Sequence, residues 1–394
     1  MEAAGRAREA GGLIAMGGAK ESPSILCVHP NGELYGSDRT FIQAIRAFRS
    51  RWPGARITIL LPVEGPLSRT LREIEQDVRV EALFVLRRAK IWSLMGSMIL
   101  LPYRVLSARR RMAKHDLTYI NTIVLLDFLL ASRFGKRGCL IHVHELPTGR
   151  TQQVLSRVLD WARGRFVFIS AAVRDAFPNL RERPHEVIWN GTSDRVVPAL
   201  SPREDRPLRV LLIGRFNAWK GQTCLVEAVS RLSPEARSKL SVRLVGSVYE
   251  GQQHFADDIV AAIRRHGLEN CIEIHGFDPV PDTHYAWADV VAVPSTQPEP
   301  FGLVAIEAMA AGRAVIAAGH GGLREIVDNG QSGILVAPAD PDSLASAISA
   351  YIDDEGLASR HGQAGRRRFE TEFREDVHMD RLAQAGAKAM ATPS

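Results

Sequence analysis

The sequence predicts an α/β protein built from two parallel-sheet units. Three observations predict it. The chain has 394 residues, more than one ordinary domain needs. Short apolar runs alternate with stretches whose apolar residues recur at helical spacing, the pattern of a parallel sheet covered by helices on both faces. The alternation stops across 191–208, which holds three prolines, mixed charge and no periodicity, and then restarts. A break of that composition marks a domain linker.

The order of elements follows from the same reading. SILCVHP is a first buried strand, the loop PNGELYGSDR follows, and FIQAIRAFRSRW has helical spacing. ARITILLP is a second strand, and 78–85 a third. DLTYINTIVLLDFLLASRFG reads as strand, loop and helix, GCLIHVHELP as a strand ending in two histidines and a glutamate, and RFVFIS and EVIWNG as further strands. After the linker, RVLLIGR, SVRLVG, CIEIHGF, DVVAVPS, RAVIAAG and GILVAP are strands separated by helical stretches. LREIVDNG reads as a helix ending at Gly330, and 362–385 as one charged helix. The resulting units are a disordered tail (1–23), a first domain (24–195), a linker (196–208), a second domain (209–370) and a C-terminal segment (371–394).

Composition narrows the function. The formal charge is +6 and the isoelectric point near 9.3, which suits anionic partners without naming one. Aromatic–basic interleaving of the kind that binds nucleic acid is missing. Cys27, Cys139, Cys224 and Cys271 have no metal spacing and read as buried, reduced thiols of a cytoplasmic protein. The apolar piece 13–16 is too short for a signal-peptide core, and no apolar run approaches the roughly 20 residues that span a bilayer. Segment 87–115 holds eight Lys/Arg and no Asp/Glu around an apolar stretch with Trp92. Such a segment can rest on an anionic membrane face. It can equally be a pair of packed helices with a solvated basic edge.

Candidate chemistry gathers in the second domain. PSTQPEPFGLVAIEAMAAG (294–312) is a turn cluster running into an apolar helix stopped by Gly312. A helix start leaves backbone N–H groups unpaired, so Phe301, Gly302, Leu303 and Val304 can hold a phosphate. Glu307 interrupts the apolar run and Glu299 precedes it. A carboxylate on a buried face needs a partner; on a solvated face it needs none, and the stretch alone leaves both open. GRFNAWKG sets Arg215 and Lys220 just beyond a strand, a planar fork and a point charge that both suit phosphate oxygens, although the P-loop order is absent. His142 and His144 share a strand face, but two ligands do not make a zinc site. Asp340-Pro341-Asp342 sits at a helix start, where capping explains it. No nucleophile motif stands out.

These parts, taken together, resemble the family-4 glycosyltransferases of the GT-B fold (glycosyl transferases group 1). GELYGSDR, HVHE, VIWNG, GRFNAWKG, LVG, YAWADVVAVPS, EPFGLVAIEAMAAG and GGLREIVDNGQSGILV come in the family's order. The resemblance implies two Rossmann-like domains facing a cleft, with a C-terminal helix crossing back to the first. It implies a UDP- or GDP-sugar donor held mainly by the second domain, transfer with retention of configuration, and no metal or other cofactor. By position, Arg215 and Lys220 resemble the diphosphate-binding pair, Glu307 the ribose ligand and Glu299 the contact to the transferred sugar. The amides of Phe301 to Val304 match the diphosphate and sugar seat. His144 matches a histidine near the reacting sugar, Gly36 a glycine of the loop facing the diphosphate, and His275 to Phe277 the surroundings of the base. With Glu307 occupied by ribose, a front-face reaction is implied, in which the leaving phosphate takes the acceptor's proton. Thr192-Ser193-Asp194 departs from the family's text after the Asn-Gly turn, so Asp194 stays outside the site. The acceptor implied is a glycan or lipid-linked molecule of polysaccharide or lipopolysaccharide synthesis, met in the cytoplasm or on the inner face of the plasma membrane. A nucleotide-sugar epimerase of the same fold and a non-catalytic nucleotide-sugar-binding scaffold remain as alternatives.

Overall fold

A computed structural model describes residues 22–34, 36–86, 99–200, 203 and 206–391. The first domain is a seven-stranded sheet in the order β3-β2-β1-β4-β5-β6-β7. Its strands are β1 (Ser24–Val28), β2 (Arg56–Leu61), β3 (Asp77–Val80), β4 (Leu117–Asn121), β5 (Gly138–Val143), β6 (Arg165–Phe168) and β7 (His185–Val187). Every neighbouring pair is parallel. β1, β4 and β5 are buried along their whole length, which is why none of them shows the alternation of a strand with one face in water.

The second domain repeats the plan in six parallel strands, ordered β10-β9-β8-β11-β12-β13. These are β8 (Leu208–Ile213), β9 (Leu240–Val245), β10 (Ile272–His275), β11 (Val290–Val293), β12 (Ala314–Ala318) and β13 (Gly333–Val336). In both sheets the strand order reverses beside the first strand of the domain. The loops leaving the two strands at that reversal diverge and open a crevice, where doubly wound folds bind ligands. The crevices lie after β1 and β4 in the first domain and after β8 and β11 in the second.

The chain passes between domains twice, side by side. Thr192 N–H donates to Phe373 O (3.0 Å) and Glu375 N–H to Thr192 O (3.0 Å). Beyond this crossing the helix Glu375–Ala391 packs on the first domain, with Leu382, Ala385 and Ala389 in one apolar cluster with Phe48 and Leu117. The two-domain architecture and the returning helix are as expected from the sequence. One apolar cluster continues across the junction and includes Phe128 and Phe168 of the first domain, Phe301 and Ile306 of the second, and Phe373 between them.

Several local expectations change. The third strand is Asp77–Val80 rather than 78–85, and EVIWNG is strand only as far as Val187, in His185–Val187. Residues 362–385 do not form one helix: a helix ends at Arg368, a π-helical turn spans Phe369–Phe373, and the last helix starts at Glu375. Phe369 and Phe373 are buried there, so core packing overrides the helical register. Helix Leu323–Ile326 is a single turn, because the Asp328 N–H takes the Ser332 hydroxyl and a turn forms instead. Asp340 does cap helix Pro341–Asp353 through the N–H groups of Asp342 and Ser343. Cys27 and Cys139 are buried, Cys224 and Cys271 only half-buried, and all four are free thiols. Segment 87–98 and Tyr35 lie outside the described residues.

Candidate active site

The second-domain crevice brings two distant loops together. Asn217 Oδ1 accepts from the N–H groups of Trp219 (3.1 Å) and Lys220 (2.9 Å), tightening the loop after β8. Thr296 N–H then donates to Trp219 O (2.8 Å), tying this loop to the one after β11. Gly221 has φ 85°, and a Cβ there would stand 2.1 Å from Pro294 O. Only glycine tolerates both that conformation and that approach.

The tie places Lys220 Nζ 2.8 Å from Glu299 Oε1, which also accepts from the Ser295 hydroxyl at 2.5 Å. Lys220 and the buried Glu299 thus form a charge-assisted pair. Arg215, on the same loop, engages a different partner: its guanidinium lies over the Tyr249 ring, 3.3 Å from the centroid. The helix Leu303–Ala310 begins immediately after Glu299-Pro300-Phe301-Gly302. Among the described residues, no protein acceptor takes the N–H groups of Phe301, Gly302, Leu303 or Val304. The Phe301 side chain itself is core, edge-on to Phe373. The four open donors, with the helix dipole behind them, form an anion seat beside Lys220.

Glu307 is not a solvated helix residue. Tyr285 donates its hydroxyl to Glu307 Oε2 (2.7 Å), and Arg195 Nη2 stands 3.4 Å and Arg39 Nη1 3.8 Å from Oε1. Burial, with the Glu307 charge second, pushes the Tyr285 hydroxyl well above its ordinary range, so it stays a donor. Arg195, the residue before the linker, stacks over the Tyr285 ring (4.7 Å) and also pairs with Asp282. His275 and Phe277 sit at the end of β10, the edge strand two positions from β8. His275 pairs with Glu273 (3.1 Å), and Phe277 is 65% exposed.

The first-domain crevice faces this one. Gly36 starts helix Gly36–Arg51, and a Cβ there would lie 3.0 Å from Leu303 Cδ1 across the cleft. His144 lies just past β5, its Nε2 2.8 Å from Asn121 Oδ1, with the His142 ring 4.1 Å away. Burial pushes His144 down to about 3 and His142 well below its ordinary range, so both rings are neutral near pH 7. Glu145 Oε2 accepts from the N–H groups of His144 (3.1 Å) and Ile123 (3.3 Å), and burial raises its carboxyl to about 7. Thr122 beside it has φ 84°, a costly conformation for a β-branched residue and one that clusters at functional sites.

Comparison with known proteins places the second domain in a family. Residues 198–368 match the family model of glycosyl transferases group 1. The second domain is a group 1 glycosyltransferase domain. The glycosyltransferase segment is 34% identical over 193 residues to a glycogen synthase of Mycobacterium tuberculosis, covering 48% of this chain and 44% of that protein. It is 31% identical over 210 residues to the lipopolysaccharide core biosynthesis mannosyltransferase LpcC of Rhizobium leguminosarum, covering 51% of this chain and 59% of that one. The chain therefore spans about half the length of the curated relatives it matches. Among solved structures, HepE of Anabaena, crystallised with UDP, is 26% identical with a TM-score of 0.75, covering 92% of this chain and 98% of that one.

Sequence reasoning singled out Lys220, Glu299, Glu307, Phe301 to Val304, Gly36 and His144, and the fold gathers these about one cleft. It did not single out Ser295, Tyr285, Arg195 or Arg39, whose roles depend on contacts distant in sequence. It also passed over His29 and Asn121, although a polar residue closing a buried strand is a visible signal. No group of three or more His, Cys, Asp or Glu residues forms a metal site among the described residues.

Proposed function

We propose that this protein transfers a sugar from a nucleoside diphosphate sugar, UDP- or GDP-linked, to a hydroxyl of a glycan or lipid-linked acceptor, with retention and without a metal. The observation that carries the reading is the anion seat: Lys220 paired to Glu299 beside four open N–H donors. A diphosphate there would meet the positive end of the helix and Lys220, while Glu307, already held by Tyr285, would take the ribose hydroxyls. The UDP found with HepE favours a uridine donor. In the step itself, the acceptor oxygen bonds to the anomeric carbon on the face the phosphate leaves. The carbon–phosphate-oxygen bond breaks, and the departing phosphate oxygen takes the acceptor's proton. Charge building on that phosphate is what Lys220 and the helix N-terminus would stabilise.

The test is a panel of UDP- and GDP-sugars, first by thermal shift and then by transfer to acceptors. A ligand at 100 times its dissociation constant stabilises by about 2.7 kcal/mol. One nucleotide sugar should raise the melting temperature, and Lys220→Ala should lower turnover at least about 100-fold, the scale of losing one transition-state contact. Undiminished turnover in that variant would defeat the diphosphate assignment. Sugar conversion without any acceptor would point to an epimerase.

The membrane part of the reading rests on helix Leu101–Met112. Ile99 (81% exposed), Tyr103 (70%) and Leu106 form an outward stripe that ends at Arg110. Beside it, exposed Phe134 and Trp161 lie under Arg109 and Arg133. No helix among the described residues is long and apolar enough to cross a membrane. Sedimentation with anionic but not neutral vesicles at low salt is expected, and equal recovery in both supernatants would refute it.

A further inference from the structure

A buried chain of polar side chains crosses the first-domain crevice. Asp38 Oδ1 lies 2.7 Å from His29 Nε2, and His29 Nδ1 lies 2.7 Å from Asn121 Nδ2. Asn121 Oδ1 lies 2.8 Å from both His144 Nε2 and the Tyr119 hydroxyl, and that hydroxyl lies 2.7 Å from His142 Nδ1. Asp38, His29, Asn121, Tyr119 and His142 are all at most 2% exposed. They belong to β4, β5, the residue following β1 and the helix Gly36–Arg51, so the fold alone assembles them.

Donor and acceptor rules leave this chain one assignment. A carboxylate only accepts, so His29 Nε2 carries a proton. Removal from water keeps His29 neutral despite Asp38, so its Nδ1 is a bare lone pair. Asn121 must turn its NH2 toward that lone pair. An independent contact agrees: the same Nδ2 faces the Ser37 carbonyl at 3.4 Å, which can only accept. Asn121 Oδ1 therefore points the other way and accepts twice, from Tyr119 O–H and from His144 Nε2–H. With its proton used on Asn121, Tyr119 accepts from His142 Nδ1–H. His144 is left with Nδ1 unprotonated and without a partner among the described residues, at the C-terminal edge of the sheet.

We infer that Asp38, His29 and Asn121 are positioning residues that lock His144 as a hydrogen-bond acceptor toward a hydroxyl of the transferred sugar. The inference rests on the glycosyltransferase reading for its ligand but not for its hydrogen-bond order. A ring locked this way accepts only, so it selects a sugar that presents a hydroxyl there and disfavours one that presents an ether or a bare C–H. Sites built to hydrogen-bond one hydroxyl reject the analogue lacking it strongly.

The experiment has two arms on the full-length protein. In the first, the protein is labelled with 15N-histidine and the ring signals are assigned by single His→Gln variants. His29 and His144 should each show one tautomer, Nε2–H, and His142 the opposite one, Nδ1–H. In Asn121→Ala the Tyr119 proton is released, and His142 and His144 should lose their single tautomers. A wild-type His144 in the Nδ1–H form, or a wild-type His142 in the Nε2–H form, overturns the chain whether or not transfer is ever observed. In the second arm, UDP binding and sugar transfer are measured together. Asn121→Ala should bind UDP within about twofold of wild type, since the nucleotide rests on the other domain, while kcat/KM for the nucleotide sugar falls at least about tenfold. Unchanged transfer in a variant whose tautomers are scrambled would overturn the sugar contact.

Discussion

At the residue scale, what distinguishes the cleft is buried polarity that is paired. Glu299, His29, Asp38, Asn121 and His144 would each be costly inside a protein if left alone, and each has a named partner. The histidines make a prediction of definite sign. His142, His144 (about 3) and His378 (about 4) are all depressed, with burial as the main cause. The unfolded chain therefore binds protons that the folded one refuses. The histidine contribution should be constant above about pH 6.5 and fall as the pH drops below it, by up to about 1.4 kcal/mol per pH unit for each histidine that stays neutral. Urea denaturation at pH 7.5, 6 and 5 measures this, and a flat profile would contradict it. Glu145 acts in the opposite direction. Its carboxyl is raised to about 7, so ionising it costs stability as pH climbs from about 4.5 toward 7. Glu145→Gln should lessen that loss and leave acid sensitivity in place.

At the scale of elements, the loops are held by few contacts, so single changes should be felt. Gly221→Ala drives a Cβ into Pro294 O at a positive φ, a strain on the order of 1–3 kcal/mol, and should displace Lys220 from Glu299. Donor binding by calorimetry should weaken with it. The linker is fixed by buried arginines: Arg313 Nε donates to Tyr285 O (2.8 Å) and its Nη2 to Pro198 O (2.7 Å), and Arg203 donates to Tyr351 O and Ile352 O. Arg313→Ala would orphan buried carbonyls, each worth about 1–3 kcal/mol. It should lower the melting temperature and loosen Tyr285, and so the hold on Glu307.

At the scale of the whole molecule, the two domains are latched as well as linked. Glu325 of the second domain accepts from the N–H groups of Ala171 and Ala172 (2.9 Å each) and from Trp189 Nε1 (2.9 Å) of the first. Ser170 donates to Pro300 O at 2.6 Å, one residue from Glu299. Glu325→Ala should shift the protein toward an open arrangement, seen as a larger radius of gyration by small-angle scattering and a weaker apparent donor affinity. An unchanged scattering curve would show that the latch does not govern closure.

Local patterns along the chain specify the two sheets, the break between them and the segment that opens the anion seat. Apolar runs mark buried strands, turn residues mark loops, and an apolar helix after EPFG marks its own start. The seat's residues were legible for the same reason: Glu299, Gly302 and Glu307 lie within one short stretch. Tertiary structure alone decided which partners hold them. Lys220 meets Glu299 because β8 and β11 are neighbours at the strand reversal. Arg195 reaches Glu307 because the chain lies against the second domain as it enters the linker. The Asp38–His29–Asn121–His144 chain exists because β1, β4 and β5 lie side by side, bringing His29 to Asn121 across 92 residues. Pairing across such distances is set by sheet order and register, which no local pattern encodes.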